Sequence, residues 1–136
     1  MVAPMATFSH RIDADHRTLS DLRGTLLDWL GLHCDEVPTA ATTVGDIDLV
    51  VTELAANVID HTPSPWVQVV VTAAPAALTV EVSHGGDAAG LPDPESWGTI
   101  EDGDRGRGLR IVRALCDNIG IVRSHDVTAI RCRVIS

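Results

Sequence analysis

One apolar run, Ile47 to His61, constrains the fold of this chain more than any other segment. Within it, Glu53, Asn57 and His61 recur at every fourth position, and steps of four around an α-helix drift by only about 40°. If the run is helical, these polar side chains share one stripe, and the apolar side chains fall mostly on the opposite side. The run therefore predicts an amphipathic core helix with one chemically mixed stripe.

The stripe combines a carboxylate, an amide and an imidazole, which suits a metal–phosphate site. Glu53 can take a proton or orient water, and Asn57 offers a neutral oxygen to a hard cation. The alternative is a solvated stripe on an ordinary surface helix. Taken alone, the segment favours that plainer interpretation, so a second segment has to decide.

The second segment is glycine-rich and reads DGDRGRGLRIVRAL over residues 102–115. We expect Gly103, Gly106 and Gly108 to take positive φ, so that successive backbone amides point at an anion. A helix beginning near Gly108 or Leu109 would add its positive dipole end to the same site. The acidic helix, two strands and then this loop form a stronger pattern than either segment alone.

Two arginines, Arg105 and Arg107, lie at the end of this predicted loop. Their guanidinium groups can bind phosphate oxygens in a bidentate manner. The alternative is that they form ion pairs with Glu101, Asp102 and Asp104. The sequence leaves both interpretations open.

The two segments, in this order, resemble the Bergerat-fold (GHKL) ATPases, and most closely the small bacterial anti-sigma factor serine/threonine kinases. Glu53 and Asn57 match the N-box pattern E-x-x-x-N of that superfamily, and His61 also fits. Gly106 and Gly108 match the GxG of its second glycine box. The resemblance extends over most of the chain.

The resemblance implies an ATP site with Mg²⁺. It implies that Asn57 would hold the metal and that Glu53 would act as the base on a serine hydroxyl of a partner protein. The implied partners are a sigma factor and an anti-anti-sigma protein of the STAS type. Related proteins often dimerise, so a homodimer is a further expectation.

The first glycine box departs from the family pattern. In the family it reads roughly D-x-G-x-G after a strand, and its Asp bonds the adenine amino group. Here SHGGDAAGLP follows the strand 78–82 and puts His84 at that position, or Ser83 if the loop is shifted by one. Gly86 and Gly90 stand for the glycines with stretched spacing. A neutral imidazole accepts one hydrogen bond but does not replace a carboxylate's water-bridged network, so we expect weak adenine binding.

The nucleotide-binding residues that follow from the motifs and their neighbours are Asn57, His61, His84, Gly86, Gly90, Arg105, Gly106, Arg107, Gly108 and Leu109. Three functions compete. The first is a kinase that phosphorylates a partner regulator and sequesters a sigma factor. The second is a catalytically weak or inactive module of the same fold that only binds its partner. The third is an ATPase module of another system, such as a lone histidine-kinase-like domain. The third needs a phosphoacceptor on a long helical hairpin, and neither His10 nor His16 lies in one.

The length, composition and charge of the chain exclude or disfavour several classes of function. The 136 residues fit one domain, with a core over about 6–135. All ten basic residues are Arg, so lysine-dependent P-loop and Schiff-base chemistries are excluded. The formal net charge of −9 disfavours nucleic acid and anionic membranes and favours a basic protein partner.

Cysteine usage and the N-terminus indicate a cytoplasmic protein. Cys34, Cys116 and Cys132 are odd in number and lack CxxC spacing, which is typical of reduced, buried thiols. The N-terminus lacks the charged start and apolar core of a signal peptide, and no apolar stretch is long enough to span a membrane.

The predicted fold is α+β, a two-layer sandwich with about three helices on one face of a mixed, mostly antiparallel five-stranded sheet. Asp15 or Thr18 is expected to cap the first helix. The predicted elements are a strand over 6–12, helices over about 15–30 and 47–61, strands over 66–73 and 77–83, a loop over 84–107, a helix over 109–116, and strands over 119–124 and 127–135.

Overall fold

In the described part of the chain, three helices and five strands form an α+β sandwich, as the sequence predicts. The computed structural model describes residues 6–33, 44–74, 77–86, 103–124 and 126–134. In chain order the elements are β1 Ala6–Asp13, α1 His16–Leu32, α2 Val44–His61, β2 Trp66–Ala74, β3 Ala77–Gly85, α3 Gly103–Leu115, β4 Cys116–Ser124 and β5 Val127–Val134.

The five strands form one sheet in the order β1-β2-β3-β5-β4. All four described pairings are antiparallel, so the sheet is more uniform than the mixed sheet that was expected. Its register aligns Phe8 with Val71, Val71 with Val80, and Val80 with Cys132. These side chains are buried, so they form one row across four strands on the face that packs against the helices.

Helix α1 is fixed by its cap and by one leucine stripe. The Asp15 side chain accepts a hydrogen bond from the Thr18 backbone N–H at 2.8 Å, which satisfies a free donor of the first turn. Of the two predicted caps, Asp15 is therefore the one used. The buried positions recur at helical spacing and are Leu19, Leu22, Leu26 and Leu30.

Helix α2 begins at Val44, earlier than predicted, and ends at His61 as predicted. Thr62 Oγ1 donates to the Val58 carbonyl at 2.8 Å, which satisfies one of the last free acceptors of the helix. Pro63 follows and cannot continue the helical hydrogen bonding.

Helix α3 corrects the predicted glycine-rich loop. It begins at Gly103 rather than near Gly108 or Leu109, and it ends at Leu115, so Cys116 opens β4. Gly106 and Gly108 therefore lie inside a helix, and no nest of positive-φ amides forms there. Glycine in a helix interior costs only about 1 kcal/mol relative to alanine, and the apolar residues after it offset that cost by packing. Among the described glycines, positive φ occurs at Gly86 instead.

The remaining sequence expectations concern the long loop, the thiols and membranes. His84 and Gly85 belong to β3, not to the predicted loop, and residues 87–102 lie outside the described part of the chain. Cys116 and Cys132 are free and buried, whereas Cys34 lies outside the described residues. Among the described helices, none combines the length and apolar character needed to cross a membrane.

Candidate functional site

Two of the predicted site residues, His61 and His84, lie at one end of the sheet. The end of β3 at His84 pairs with Val67 near the start of β2 and with Thr128 near the start of β5. Helix α2 ends at His61, and only four residues separate it from the start of β2 at Trp66, so its C-terminal turn lies at this end. Helix α3 finishes at the opposite end, because Cys116 pairs with Val134 there.

Asn57 is buried, with 6% of its surface exposed. Each four-residue step from Glu53 rotates the stripe by about 40°, and this rotation carries Asn57 towards the core side of α2. Asn57 is therefore not part of a solvated stripe on a surface helix, the alternative that the sequence left open. His61, the last residue of the helix, is half-buried.

The orientation of the Asn57 amide follows from its hydrogen bond. Its Nδ2 donates to the Glu53 backbone carbonyl at 2.8 Å. Because that carbonyl can only accept, the amide must present its nitrogen there, and its Oδ1 points away from the helix carbonyls. The oxygen is thus the atom that Asn57 offers to a cation.

The Glu53 carboxylate lies against helix α3 at Gly108. A carbon built onto the Gly108 α-carbon would lie 2.8 Å from Glu53 Cδ and closer still to Oε2. Burial raises the pKa of the Glu53 carboxyl above its ordinary value, because the charged form loses hydration. A desolvated carboxylate accepts a proton more readily, which suits a general base.

His84 is fully buried at the end of β3. Neighbouring side chains of a strand point to opposite faces of the sheet. Ser83, which pairs with Gln68, therefore points away from the helices, and His84 points towards them. His84 Nδ1 lies 2.7 Å from the Gly85 carbonyl oxygen, and because that oxygen can only accept, Nδ1 carries the proton. In the neutral ring Nε2 is then an acceptor, and it is buried with no hydrogen-bond partner among the described residues.

Gly86 continues this edge and is held by β5. The Gly86 N–H donates to the Asp126 carbonyl at 2.6 Å, and Thr128 Oγ1 donates to the Gly86 carbonyl at 2.7 Å. Its φ of 89° lets the chain turn out of the sheet, a conformation that favours glycine. The predicted role of Gly86 as a glycine-box turn fits this geometry.

Ser64 is a residue of this region that the sequence reasoning missed. Its buried Oγ accepts from the Gly85 N–H at 3.0 Å and donates to the Trp66 carbonyl at 2.6 Å. It therefore ties the start of β2 to the end of β3. A serine between two prolines was the available signal, since such a hydroxyl often bonds to nearby backbone.

An open depression of about 460 Å³ lies nearby, lined in part by Trp66, Gly86 and Asp126. Trp66 and Gly85 alternate with buried Val67 and His84, so they face away from the helices. Among the described residues that line the depression, neither Glu53 nor Asn57 occurs. The buried Asn57 and His84 lie on the other side of the sheet, which faces the helices.

The remaining predicted residues are distributed as follows. Arg105, Gly106 and Arg107 belong to the N-terminal half of α3. Leu109 is packed in the hydrophobic core with 1% of its surface exposed. Gly90 lies outside the described residues.

The sequence and the fold of this chain are similar to those of known proteins. A family model described as a histidine kinase-like ATPase domain matches residues 12–134. The crystal structure of the RsbU and RsbW domains of Rv1364c from Mycobacterium tuberculosis is similar, with a TM-score of 0.57 and 17% identity. That match covers 96% of this chain and 32% of the other, so this chain spans about a third of that protein's length. No curated protein sequence matches this chain.

Because the family model covers nearly the whole sequence, the chain belongs to the histidine kinase-like ATPase domain family. The likeness to the RsbU and RsbW domains concerns the fold. The recognition of a Bergerat-type ATPase fold from its N-box and glycine motifs is confirmed.

Proposed function

We propose that this chain binds ATP with Mg²⁺ and transfers a phosphoryl group to a serine or threonine of a partner regulator. The observation that carries the proposal is the arrangement on α2. Glu53 holds a half-buried carboxylate against α3, and the buried Asn57 one turn later offers its side-chain oxygen. A base and a metal ligand one turn apart are what transfer from a metal-bound phosphate to a hydroxyl requires.

Asn57 fits the metal through its donor chemistry. Mg²⁺ prefers oxygen ligands, and the hydrogen bond from Nδ2 to the Glu53 carbonyl leaves Oδ1 for that purpose. When bound, the metal would neutralise charge on the phosphate oxygens. Asn57 would hold it in place, and burial of this side chain would keep its oxygen in one orientation.

Glu53 would take the proton from the acceptor hydroxyl. Its carboxyl pKa is raised by burial, which moves its basicity towards the neutral range where proton transfer is efficient. His84 Nε2 would accept a hydrogen bond from the exocyclic amino group of adenine. This nitrogen is buried and has no partner among the described residues. Residues 103–108 of α3 would lie near the phosphates, as the glycine-box resemblance implies.

The proposed partners are a sigma factor and an anti-anti-sigma protein of the STAS type. The family membership and the fold shared with the RsbU and RsbW domains support this class of partner. The net charge of −9 supports a basic sigma-factor surface as one of them.

The test is phosphotransfer from radiolabelled ATP and Mg²⁺ to a purified STAS-domain protein of the same organism. Label on a serine or threonine of that protein, absent when ATP is omitted or Mg²⁺ is chelated, is the expected result. No label, although the STAS-domain protein binds the chain, would overturn the kinase assignment.

A second candidate function is a binding module that holds its partner without turnover. The observation that favours it is His84, because an imidazole stands where the family's adenine-binding Asp is expected. The same assay separates the two, since a module without turnover captures the STAS-domain protein and leaves it unlabelled.

A further inference from the structure

The contact between Glu53 and Gly108 joins two helices at the centre of the site. Gly108 is buried in α3, and the space where its side chain would be is filled by the Glu53 carboxylate of α2. A real β-carbon essentially never approaches another atom as closely as it would approach Oε2 here. A side chain at position 108 would therefore require the Glu53 carboxylate, the end of a flexible side chain, to move out of this space.

Several other described glycines do not share this environment. A carbon built onto Gly24, in the middle of α1, has no atom within 4 Å, and the same holds for Gly31 and Gly120. Gly24 and Gly108 are both helical, so they differ in their neighbours and not in their backbone. At an open helical glycine, the ordinary effect of alanine is stabilising, because alanine has the higher helix propensity.

We propose that Gly108 is a positioning residue, whose bare α-carbon forms the wall of a seat that holds the Glu53 carboxylate against α3. The seat couples the position of the base to the position of α3. The contact between Glu53 and Gly108 is by itself enough to define the seat. Its catalytic consequence rests on the proposed function, in which Glu53 is the base.

The seat predicts that substitutions at Gly108 and Glu53 affect stability together and not independently. Alanine at position 108 would displace the Glu53 side chain, or push α3 away from α2, and either response loses packing in a buried contact. Removing the Glu53 carboxylate would empty the space that the new methyl group needs. The two substitutions should therefore compensate each other, in contrast to independent sites, whose effects add.

A thermal double-mutant cycle on the full chain tests the seat without any nucleotide. Gly24→Ala, the matched control, should raise Tm by about 3–5 °C through helix propensity. In the wild-type background Gly108→Ala should raise Tm less than this control does, or lower it, because the Glu53 carboxylate must first leave the seat. In the Glu53→Ala background it should raise Tm, as the control does. Glu53→Gln keeps the shape of the side chain, so Gly108→Ala should again fall short of the control in that background.

If Gly108→Ala alone fails to fold, recovery of a folded protein in the Gly108→Ala/Glu53→Ala double variant is the same result. Equal Tm changes from Gly108→Ala in the wild-type and Glu53→Ala backgrounds would overturn the seat. So would a gain in Tm from Gly108→Ala in the wild-type background as large as the gain from Gly24→Ala.

The catalytic consequence has a separate readout. Gly108→Ala should lower the phosphotransfer rate at saturating ATP at least tenfold, because a base acts in the transition state, so that more ATP does not restore the rate. An unchanged transfer rate in Gly108→Ala would overturn the positioning role. A chain that transfers no phosphate at all would refute the proposed function, and the thermal cycle would still decide the seat.

Discussion

His84→Asp is the substitution that tests the base-binding edge of the site most sharply. His84 offers one neutral acceptor, Nε2, which is buried without a partner among the described residues. A neutral hydrogen bond contributes about 0.5–1.5 kcal/mol, whereas one to a charged group contributes about 1.5–3 kcal/mol. The difference of about 1–1.5 kcal/mol predicts that ATP binds about 5- to 12-fold more tightly to the variant.

The same substitution removes a donor. His84 Nδ1 donates to the Gly85 carbonyl, and an aspartate has no proton to give it. We therefore expect Tm to fall, by about 3–5 °C for the loss of a bond worth roughly 1 kcal/mol. Tighter ATP binding by a less stable protein is the combined signature of His84→Asp.

Isothermal titration with ATP and with GTP, both with Mg²⁺, measures the first effect. GTP affinity should not rise, because guanine presents a carbonyl where adenine presents an amino group. His10→Asp is the matched control, because it makes the same substitution at an exposed residue of β1, a different strand from the one that carries His84. Unchanged ATP affinity, or an equal gain for GTP, would show that His84 does not face the base.

Three further predictions follow from α2. Glu53→Ala should abolish phosphotransfer while ATP affinity stays within a few-fold, as a transfer assay and a titration would show; full activity would remove Glu53 as the base. Asn57→Ala should remove the Mg²⁺ dependence of ATP binding, and a wild type without that dependence would refute the metal role. Because burial raises the folded-state pKa of Glu53, its contribution to stability is present below the unfolded pKa and is lost as pH rises through the folded pKa. Glu53→Gln should therefore have a higher Tm than wild type at neutral pH, with a gain that shrinks towards pH 4; a gain independent of pH would contradict the burial argument.

Much of the fold could be predicted from periodicity and local chemistry. The leucine stripe of α1 and its Asp15 cap are local signals, and the proline after Thr62 marks the end of α2. The strands alternate buried and exposed residues because one face of an antiparallel sheet packs on the helices. Such signals do not depend on distant parts of the chain.

The glycine-rich segment could not be predicted from local rules, because glycine is compatible with both a turn and a helix. At Gly108 the missing side chain accommodates the Glu53 carboxylate, a contact between residues far apart in sequence. Only the packing of α3 on α2 reveals this use of glycine. Sequence reasoning assigned the glycine to positive φ, which the structure places at Gly86.

The predicted site residues divide in the same way. The stripe of Glu53 and Asn57 is confirmed as one side of a helix, because four-residue spacing determines it. The choice between Ser83 and His84 depends on strand register, and the pairing of His84 with Val67 and Thr128 puts His84 on the side of the sheet that faces the helices. Ser64 was missed because its partner Gly85 belongs to a different strand.

Chemical-shift mapping by NMR with ATP and Mg²⁺ tests most directly whether the nucleotide binds at the end formed by α2, β3 and α3. Nitrogen-15 labelling reports the side-chain amide of Asn57, the ring nitrogens of His84 and the backbone amides of Glu53 and Gly108. We expect saturable shifts that cluster on these four residues and that require Mg²⁺ at Asn57. Shifts confined to the depression beside Trp66 and Asp126, or no shifts at millimolar ATP, would contradict the nucleotide site described for this chain.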